Sequence, residues 1–139
     1  MREAVIPKYS IVIPVLNEEG SLRELYRQIS EVMKGRFEPV EFVFVDDHSS
    51  DSSPEILAEL ADEDPRVISL RLKRKYGQTV ALAAGFDHAA GDIIISMDGD
   101  LQHDPGDIPA MVEALESTDS DIVSGWRQKR VDNFFFRRI

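Results

Sequence analysis

Residues 92–100 read Asp-Ile-Ile-Ile-Ser-Met-Asp-Gly-Asp. The apolar, β-branched run is typical of a buried strand, because a strand covered on both faces has little need of polar residues. The abrupt change to Asp98, Gly99 and Asp100 predicts that the strand ends in a turn, since aspartate and glycine favour turns. This segment therefore predicts a strand over Asp92–Asp98 that delivers two carboxylates to its carboxyl end.

The same pattern of an apolar run that stops at polar residues occurs elsewhere in the chain, with helix-like segments between the runs. The predicted strands are Tyr9–Leu16, Val40–Val45, Val67–Leu72, Asp92–Asp98 and Asp121–Trp126. The predicted helices are Leu22–Met33, a segment that begins at Ser53 and Pro54, Gly77–Ala90 and Pro105–Glu116. Strands that alternate with helices favour an α/β, Rossmann-like, mainly parallel sheet with helices on both faces.

The sequence also predicts how one helix begins and how deeply another is buried. Ser21 followed by Glu24 has the spacing of a capping box, in which each side chain bonds a backbone N–H at the start of the helix. The helix over Gly77–Ala90 is apolar nearly all round, which predicts burial on most of its sides.

The composition limits the class of protein. A chain of 139 residues, 42% hydrophobic and 30% charged, is typical of one globular domain over residues 1–139. The net charge of -10 argues against a nucleic-acid partner. The absence of cysteine excludes disulfide scaffolds and thiolate chemistry. Only 13 residues follow the last predicted strand, so we expect the domain to be truncated at its C-terminus.

Acidic or polar residues follow three of the predicted strands. They form the clusters 17–19, 46–47 and 98–103. Because the carboxyl ends of parallel strands share one edge of a sheet, we expect these clusters to converge. Converging carboxylates repel each other unless a cation is present, and Mg²⁺ or Mn²⁺ prefers oxygen ligands. The alternative is that Asp98-Gly99-Asp100 is only a turn and that one of Asp46 and Asp47 only caps a helix.

Five segments, in this order, resemble the family 2 glycosyltransferases of the GT-A fold. They are Ile11–Glu19, Val45–Asp51, Gly77-Gln78 with Ala81–Phe86, Met97–Pro105 and Val123–Arg127. The nearest branch is the polyprenyl-phosphate sugar transferases, such as dolichol-phosphate mannosyltransferase. The chain departs from that pattern at Leu16, where many members have tyrosine, and at Arg74-Lys75-Tyr76-Gly77, where the family usually has Arg-Asn-Phe-Gly.

The resemblance implies roles for individual residues. Pro14, Leu16 and Glu18 would line the nucleoside pocket, and Asp47 would hold the base. Asp98, Gly99 and Asp100 would meet the ribose and the diphosphate, and Asp100 and Gln102 would hold the metal. Arg127 would face the acceptor phosphate, so Asp98, Asp100 and Arg127 are the expected catalytic residues.

The resemblance also implies an activity and partners. A hexose would move from a UDP- or GDP-linked donor to dolichyl or undecaprenyl phosphate, with inversion and with Mg²⁺ or Mn²⁺. The whole protein would lie at the cytoplasmic side of a membrane and meet its surface, while this fragment would be soluble; homo-oligomerisation is left open. Two other functions remain open, namely a catalytically silent fragment that binds nucleotide sugar and a metal-dependent phosphatase.

Overall fold

The computed structural model describes residues 5–125. These residues belong to two compact units, of which the first ends at His103 and the second begins at Asp104.

The first unit is built on one parallel sheet. Its strands are β1 (Tyr9–Val15), β2 (Val40–Asp46), β3 (Val67–Arg71) and β4 (Ile93–Ser96). They lie in the order β3-β2-β1-β4, and all three neighbouring pairs are parallel. The predicted α/β architecture is therefore confirmed, and the carboxyl ends of all four strands lie at one edge of the sheet.

Three helices of the first unit connect these strands. They are α1 (Leu22–Met33), α2 (Ser53–Glu63) and α3 (Gln78–His88). The second unit contains a short 3₁₀ turn, Pro105–Asp107, and then α4 (Ile108–Ser117). Each helix begins within a few residues of its predicted start, because the apolar spacing and the prolines at 54 and 105 mark those starts.

The two central strands are covered on both faces. Every residue of β2 is buried, and so is nearly every residue of β1. On one face, the ring of Tyr26 in α1 meets Phe42 edge-on, with 6.0 Å between the ring centroids. On the other face, α3 packs closely over Val12 and Val45, where a Cβ at Gly85 would lie only 2.3 Å from Cγ1 of Val12. This close packing lets α3 lie directly on the sheet.

The expectation that α3 is buried on most sides is wrong within residues 5–125. Only Ala81 and Gly85 of this helix are buried, whereas Val80 and Phe86 are each 42% exposed. Apolar character all round a helix does not by itself supply a neighbour for each side, and within the first unit α3 rests on β1 and β2 through one face.

The expected capping box at the start of α1 is also wrong. The side chain of Ser21 makes no cap bond to the helix, and its hydroxyl instead donates to the backbone oxygen of Gly99 at 2.6 Å. The carboxylate of Glu24 accepts hydrogen bonds from the side chains of Arg27 and Gln28, which lie one turn later in the same helix. A contact from a distant loop thus replaces the local bond that the sequence spacing predicted.

The expected fifth strand is not present in the part of it that the structure describes. Residues 121–125 have no strand conformation, and Trp126 lies outside the described residues. Branched residues such as Ile122 and Val123 fit a strand well, but a strand also needs a backbone partner. None of the four strands within residues 5–125 pairs with this segment.

At the amino edge of the sheet, a buried polar network fixes the turn that enters β4. One carboxylate oxygen of Glu41 accepts bonds from the hydroxyl of Ser10 and from the backbone N–H of Ala90. The backbone N–H of Gly91 donates to the same hydroxyl at 2.8 Å. A Cβ at Gly91 would lie 2.6 Å from that oxygen, so this turn accepts only glycine without rearrangement.

Candidate functional site

Four loops follow the strands at the carboxyl edge of the sheet. They comprise residues 16–21, 47–52, 72–77 and 97–103, each directly after one strand. The parallel topology therefore brings together the polar clusters that are far apart in sequence, as predicted.

The loops after β1 and β2 are joined by hydrogen bonds. The backbone N–H groups of Asn17 and Glu18 donate to the hydroxyls of Ser49 and Ser53, both at 2.9 Å. In return, the amide oxygen of Asn17 accepts from the backbone N–H of Ser50 at 2.8 Å. Asn17 has a φ of 53°, a conformation that asparagine tolerates better than most residues. These bonds hold Glu18 in a defined place beside the sheet.

Asp98 is held from two sides. Its Oδ1 accepts a hydrogen bond from Nε2 of Gln78, the first residue of α3, at 2.9 Å. Its backbone N–H donates to Nδ1 of His103 at 3.3 Å, and Nε2 of His103 lies 3.5 Å from the other carboxylate oxygen. The side chain of Asp98 keeps 24% of its surface exposed, so it is oriented and also reachable from solvent.

Gly99 is held by Ser21, the residue before α1, and Asp100 is held by the nearby backbone of Gln102. The backbone oxygen of Gly99 accepts from Ser21, and a Cβ at this buried glycine would lie 3.4 Å from the carbonyl oxygen of Pro14. One carboxylate oxygen of Asp100 accepts from the backbone N–H of Gln102 at 3.1 Å, as in an Asx turn. Within residues 5–125, the second oxygen of Asp100 accepts no hydrogen bond.

Glu18 lies beside the loop that contains Asp98 and Asp100, because a Cβ at Gly99 would lie 3.5 Å from Cγ of Glu18. Burial raises the pKa of Glu18 above its usual value of 4.5, and repulsion from Asp100, Asp51 and Asp98 raises it further, while the hydroxyl of Ser21 lowers it in part. The nearby charges thus favour either a proton on Glu18 or a cation beside it.

The residues at this edge could hold a divalent metal only with further oxygen ligands from a bound molecule. Within residues 5–125, no group of three or more histidine, aspartate or glutamate side chains is arranged to hold a metal ion. Mg²⁺ sites commonly use only one or two carboxylates together with substrate phosphates. Asp100 could supply a carboxylate oxygen of that kind, and the exposed amide of Gln102 follows two residues later.

Asp47 is buried and holds the loop after β3. Its two carboxylate oxygens accept bonds from the backbone N–H groups of Tyr76, at 2.8 Å, and Gly77, at 3.0 Å. Only 3% of Asp47 is exposed. Each oxygen has a second lone pair, so a contact with a nucleobase stays a prediction.

Asp46 has a different set of partners. Its Oδ1 accepts from both the backbone N–H and the hydroxyl of Ser49, and its Oδ2 lies 3.3 Å from Nε of Arg71. The sequence left open whether one of Asp46 and Asp47 only caps a helix. Each carboxylate instead bonds a loop, Asp46 at Ser49 and Asp47 at Tyr76 and Gly77.

The other expected site residues fall into two groups. Pro14 lies near the end of β1, and Leu16 follows that strand; both are partly buried at the carboxyl edge, next to the loop that contains Glu18. Arg127, the expected acceptor residue, lies outside the described residues.

Sequence reasoning missed Ser21 and Gln78 as supports of the site. The spacing of Ser21 and Glu24 predicts a helix cap, and it gives no indication that Ser21 bonds Gly99, 78 residues away. Gln78 stood within a segment quoted for the resemblance, but nothing in the local pattern indicated that its amide would reach Asp98.

The comparison with protein families agrees with this geometry. The profile described as glycosyl transferase family 2 matches residues 10–139. The chain belongs to glycosyl transferase family 2. The expected resemblance is therefore confirmed.

Curated relatives of this family 2 chain share substantial sequence identity with it. The undecaprenyl-phosphate 4-deoxy-4-formamido-L-arabinose transferases of Salmonella choleraesuis (strain SC-B67) and Salmonella paratyphi B (strain ATCC BAA-1250 / SPB7) are each 44% identical over 133 residues. The match covers 95% of this chain but only 40% of each relative. The chain thus spans less than half the length of these relatives.

Solved structures show the same fold at lower identity. The mannosyltransferase PcManGT from Pyrobaculum calidifontis, in complex with GDP-Man and Mn²⁺, superposes with a TM-score of 0.64 at 24% identity, over 76% of this chain and 31% of that one. S. aureus TarS 1-349 in complex with UDP gives 0.62 at 20% identity, over 78% and 33%. These likenesses support the GT-A-like α/β fold.

None of the helices within residues 5–125 combines the length and the apolar character that a membrane crossing requires.

Proposed function

We propose that this protein transfers a sugar from a nucleotide diphosphate sugar to a polyprenyl phosphate. The observation that carries the proposal is the position of Glu18 at the carboxyl edge of the sheet, next to the loop of Asp98 and Asp100, where a Cβ at Gly99 would lie 3.5 Å from Cγ of Glu18. Asp100 and Gln102 at this edge would hold a divalent cation, and the cation would offset the negative charge of a bound diphosphate. The names of the 44% identical relatives supply the acceptor class.

The proposed roles follow the placement of the residues. Pro14, Leu16 and Glu18 line the nucleoside pocket. Asp98 and Gly99 meet the ribose and the diphosphate. Asp100 and Gln102 hold Mg²⁺ or Mn²⁺, which neutralises charge on the departing diphosphate when it is bound.

The protein's own groups orient the donor. Gln78 and His103 hold the carboxylate of Asp98, and Ser21 holds the backbone of Gly99, so these atoms are fixed before a ligand arrives. Fixed polar groups assist a reaction because they need not reorganise when charge develops. Asp47 contributes by holding the neighbouring loop, and a contact with the base is its second proposed role.

The acceptor side needs less help from the protein. A lipid phosphate is already ionised near neutral pH, so a strong general base is less necessary than for a sugar hydroxyl. Arg127 is proposed to position that phosphate, because a guanidinium binds phosphate oxygens in pairs.

The identity of the sugar and of the nucleotide is a finer question. The resemblance implies a hexose, whereas the sugar in the names of the relatives is an arabinose derivative, which is a pentose. UDP- and GDP-linked donors of both sugar classes should therefore be tested. We also propose that the acceptor lies in a membrane and that the protein meets this membrane from its cytoplasmic side.

The test measures nucleotide affinity by calorimetry with Mn²⁺ and with a chelator. Since binding is reciprocal, Mn²⁺ should raise the affinity for UDP or GDP by the same factor by which the nucleotide raises the affinity for Mn²⁺. Transfer of labelled sugar to undecaprenyl phosphate then separates an enzyme from a silent binding fragment. Equal nucleotide affinity with Mn²⁺ and with chelator would contradict the proposed metal site.

Two matched variants locate the effect. Asp100→Asn keeps an oxygen for the N–H of Gln102 but removes the charge, so it should abolish most of the Mn²⁺ effect on nucleotide affinity. Asp92→Asn removes the same charge just before β4, at the opposite edge of the sheet, and should leave the effect unchanged. Equal losses in both variants would assign the effect to overall charge.

A further inference from the structure

The loop after β3 concentrates positive charge in an acidic protein. Residues 71–75 read Arg-Leu-Lys-Arg-Lys, which places four basic residues within five positions of a chain whose net charge is -10. Lys73, Arg74 and Lys75 are all exposed. Among residues 5–125, no acidic side chain lies within 4.0 Å of the charged groups of these three. Their charge is therefore available to a partner.

The loop is held in one place although its side chains are exposed. Asp47 fixes the backbone at Tyr76 and Gly77, and the N–H of Leu72 donates to the backbone oxygen of Asp46 at 2.9 Å. Nδ1 of His48 lies 3.2 Å from the oxygen of Leu72. A fixed loop presents its charges together, so less conformational entropy is lost when they meet a partner.

An aromatic ring accompanies the basic side chains. The guanidinium of Arg74 lies over the ring of Tyr76, 5.4 Å from its centroid, and this tyrosine is 47% exposed. Val80, in the first turn of α3, is 42% exposed. Tyrosine and basic residues together suit the headgroup level of a membrane, where a ring can rest between apolar and wet surroundings.

We propose that the segment from Lys73 to Tyr76, the basic loop, binds the anionic surface of a lipid membrane. The loop lies at the same edge of the sheet as Asp98 and Asp100, so contact with a membrane would turn the candidate site toward it. The proposal rests on the proposed function only for the presence of a lipid acceptor. The acidic body is repelled by the same surface, and this repulsion falls off within about 10 Å at 0.1 M salt.

The experiment is flotation of the chain with lipid vesicles, without nucleotide, metal or acceptor. Vesicles of phosphatidylcholine with 30 mol % phosphatidylglycerol should bind the wild-type chain, and pure phosphatidylcholine should bind it weakly. Each basic residue near such a surface contributes about fivefold to the affinity. The double variant Lys73→Gln/Lys75→Gln should therefore bind roughly 25-fold more weakly. Binding should also fall as salt is raised.

Two control variants remove the same charge elsewhere. Lys34→Gln/Arg36→Gln acts at the opposite edge of the sheet, between α1 and β2, and should bind as the wild type does. Arg137→Gln/Arg138→Gln acts in the C-terminal segment outside the described residues and measures the share of that segment. If all three double variants lose affinity equally, or if only the C-terminal variant loses it, the basic loop is not the binding surface.

A last control separates this proposal from the proposed function. Nucleotide affinity with Mn²⁺ should be unchanged in the Lys73→Gln/Lys75→Gln variant if the loop meets only lipid. If nucleotide affinity falls while vesicle binding does not, the loop contacts the donor phosphates and the membrane assignment is overturned.

Discussion

Replacement of Asp47 by alanine tests whether this buried carboxylate holds the loop after β3. The substitution removes two acceptors at once, one for the N–H of Tyr76 and one for the N–H of Gly77. It leaves the backbone bond from the N–H of residue 47 to the oxygen of Val15 in place, because that bond does not use the side chain. The expected result is a folded sheet with a released loop.

The magnitude follows from the two bonds. A hydrogen bond to a charged group contributes about 1.5–3 kcal/mol, so two such bonds set an upper range of about 3–6 kcal/mol. Tyr76 is exposed, and water can replace part of what the loop loses. We therefore expect Asp47→Ala to lower the free energy of unfolding by about 2–3 kcal/mol. Since domains are stable by about 5–15 kcal/mol, the chain should remain folded.

Urea unfolding and amide hydrogen exchange measure the two parts of this prediction. The amides of Tyr76 and Gly77 should exchange much faster in Asp47→Ala, while amides within β1 and β2 stay protected. Asp62→Ala, an exposed site in α2, should change stability by less than about 0.5 kcal/mol. If Asp47→Ala shows wild-type stability and wild-type exchange at both loop amides, the carboxylate does not hold the loop and the reasoning is refuted.

Three further substitutions test other parts of the structure. Gly91→Ala places a Cβ 2.6 Å from the hydroxyl of Ser10 and should lower the free energy of unfolding, measured with urea, by about 1–3 kcal/mol. Gly20 has open space around it, so Gly20→Ala should change that free energy little. Burial alone would raise the pKa of Asp64, but bonds from Arg66 and Tyr26 lower it to about 2. Its stabilisation, about 2 kcal/mol, is therefore present above pH 4 and is lost as the pH falls toward 2; Asp64→Asn should remove this dependence from acid unfolding curves. Because the folded state raises the pKa of Glu18, the contribution of Glu18 to the free energy of unfolding is full below pH 4.5 and is lost as the pH rises through the folded pKa. Glu18→Gln should therefore be more stable than the wild type at pH 7. In calorimetry with Mn²⁺, the same variant should bind nucleotide more weakly.

The strands could be predicted because their burial leaves a direct trace in the sequence. A central strand such as β2 is covered on both faces and is therefore almost continuously apolar. This apolar run is visible in the local sequence, whichever strands lie beside it. The order of strands and helices then places the polar loops at one edge of the sheet, so the convergence of Asp98 and Asp100 with Glu18 also follows from the sequence.

The parts that could not be predicted depend on contacts between distant residues. The hydroxyl of Ser21 has a choice between its own helix and the backbone of Gly99, and only the folded arrangement decides between them. The apolar circumference of α3 does not tell which of its sides has a neighbour. The bond from Gln78 to Asp98 joins two segments whose local patterns are independent of each other.

The hydrogen bonds between the loops after β1 and β2 have a consequence for protein engineering. Besides the bonds of Asn17 and Glu18 to the serines opposite them, the backbone N–H of Ser52 donates to the carboxylate of Glu19 at 2.8 Å. Each loop thus supplies the partners of the other. A chimera that exchanges only one of them with a related transferase would leave unmatched donors and acceptors, so a swap meant to alter donor preference should transplant residues 16–21 and 47–53 together, as a single cassette.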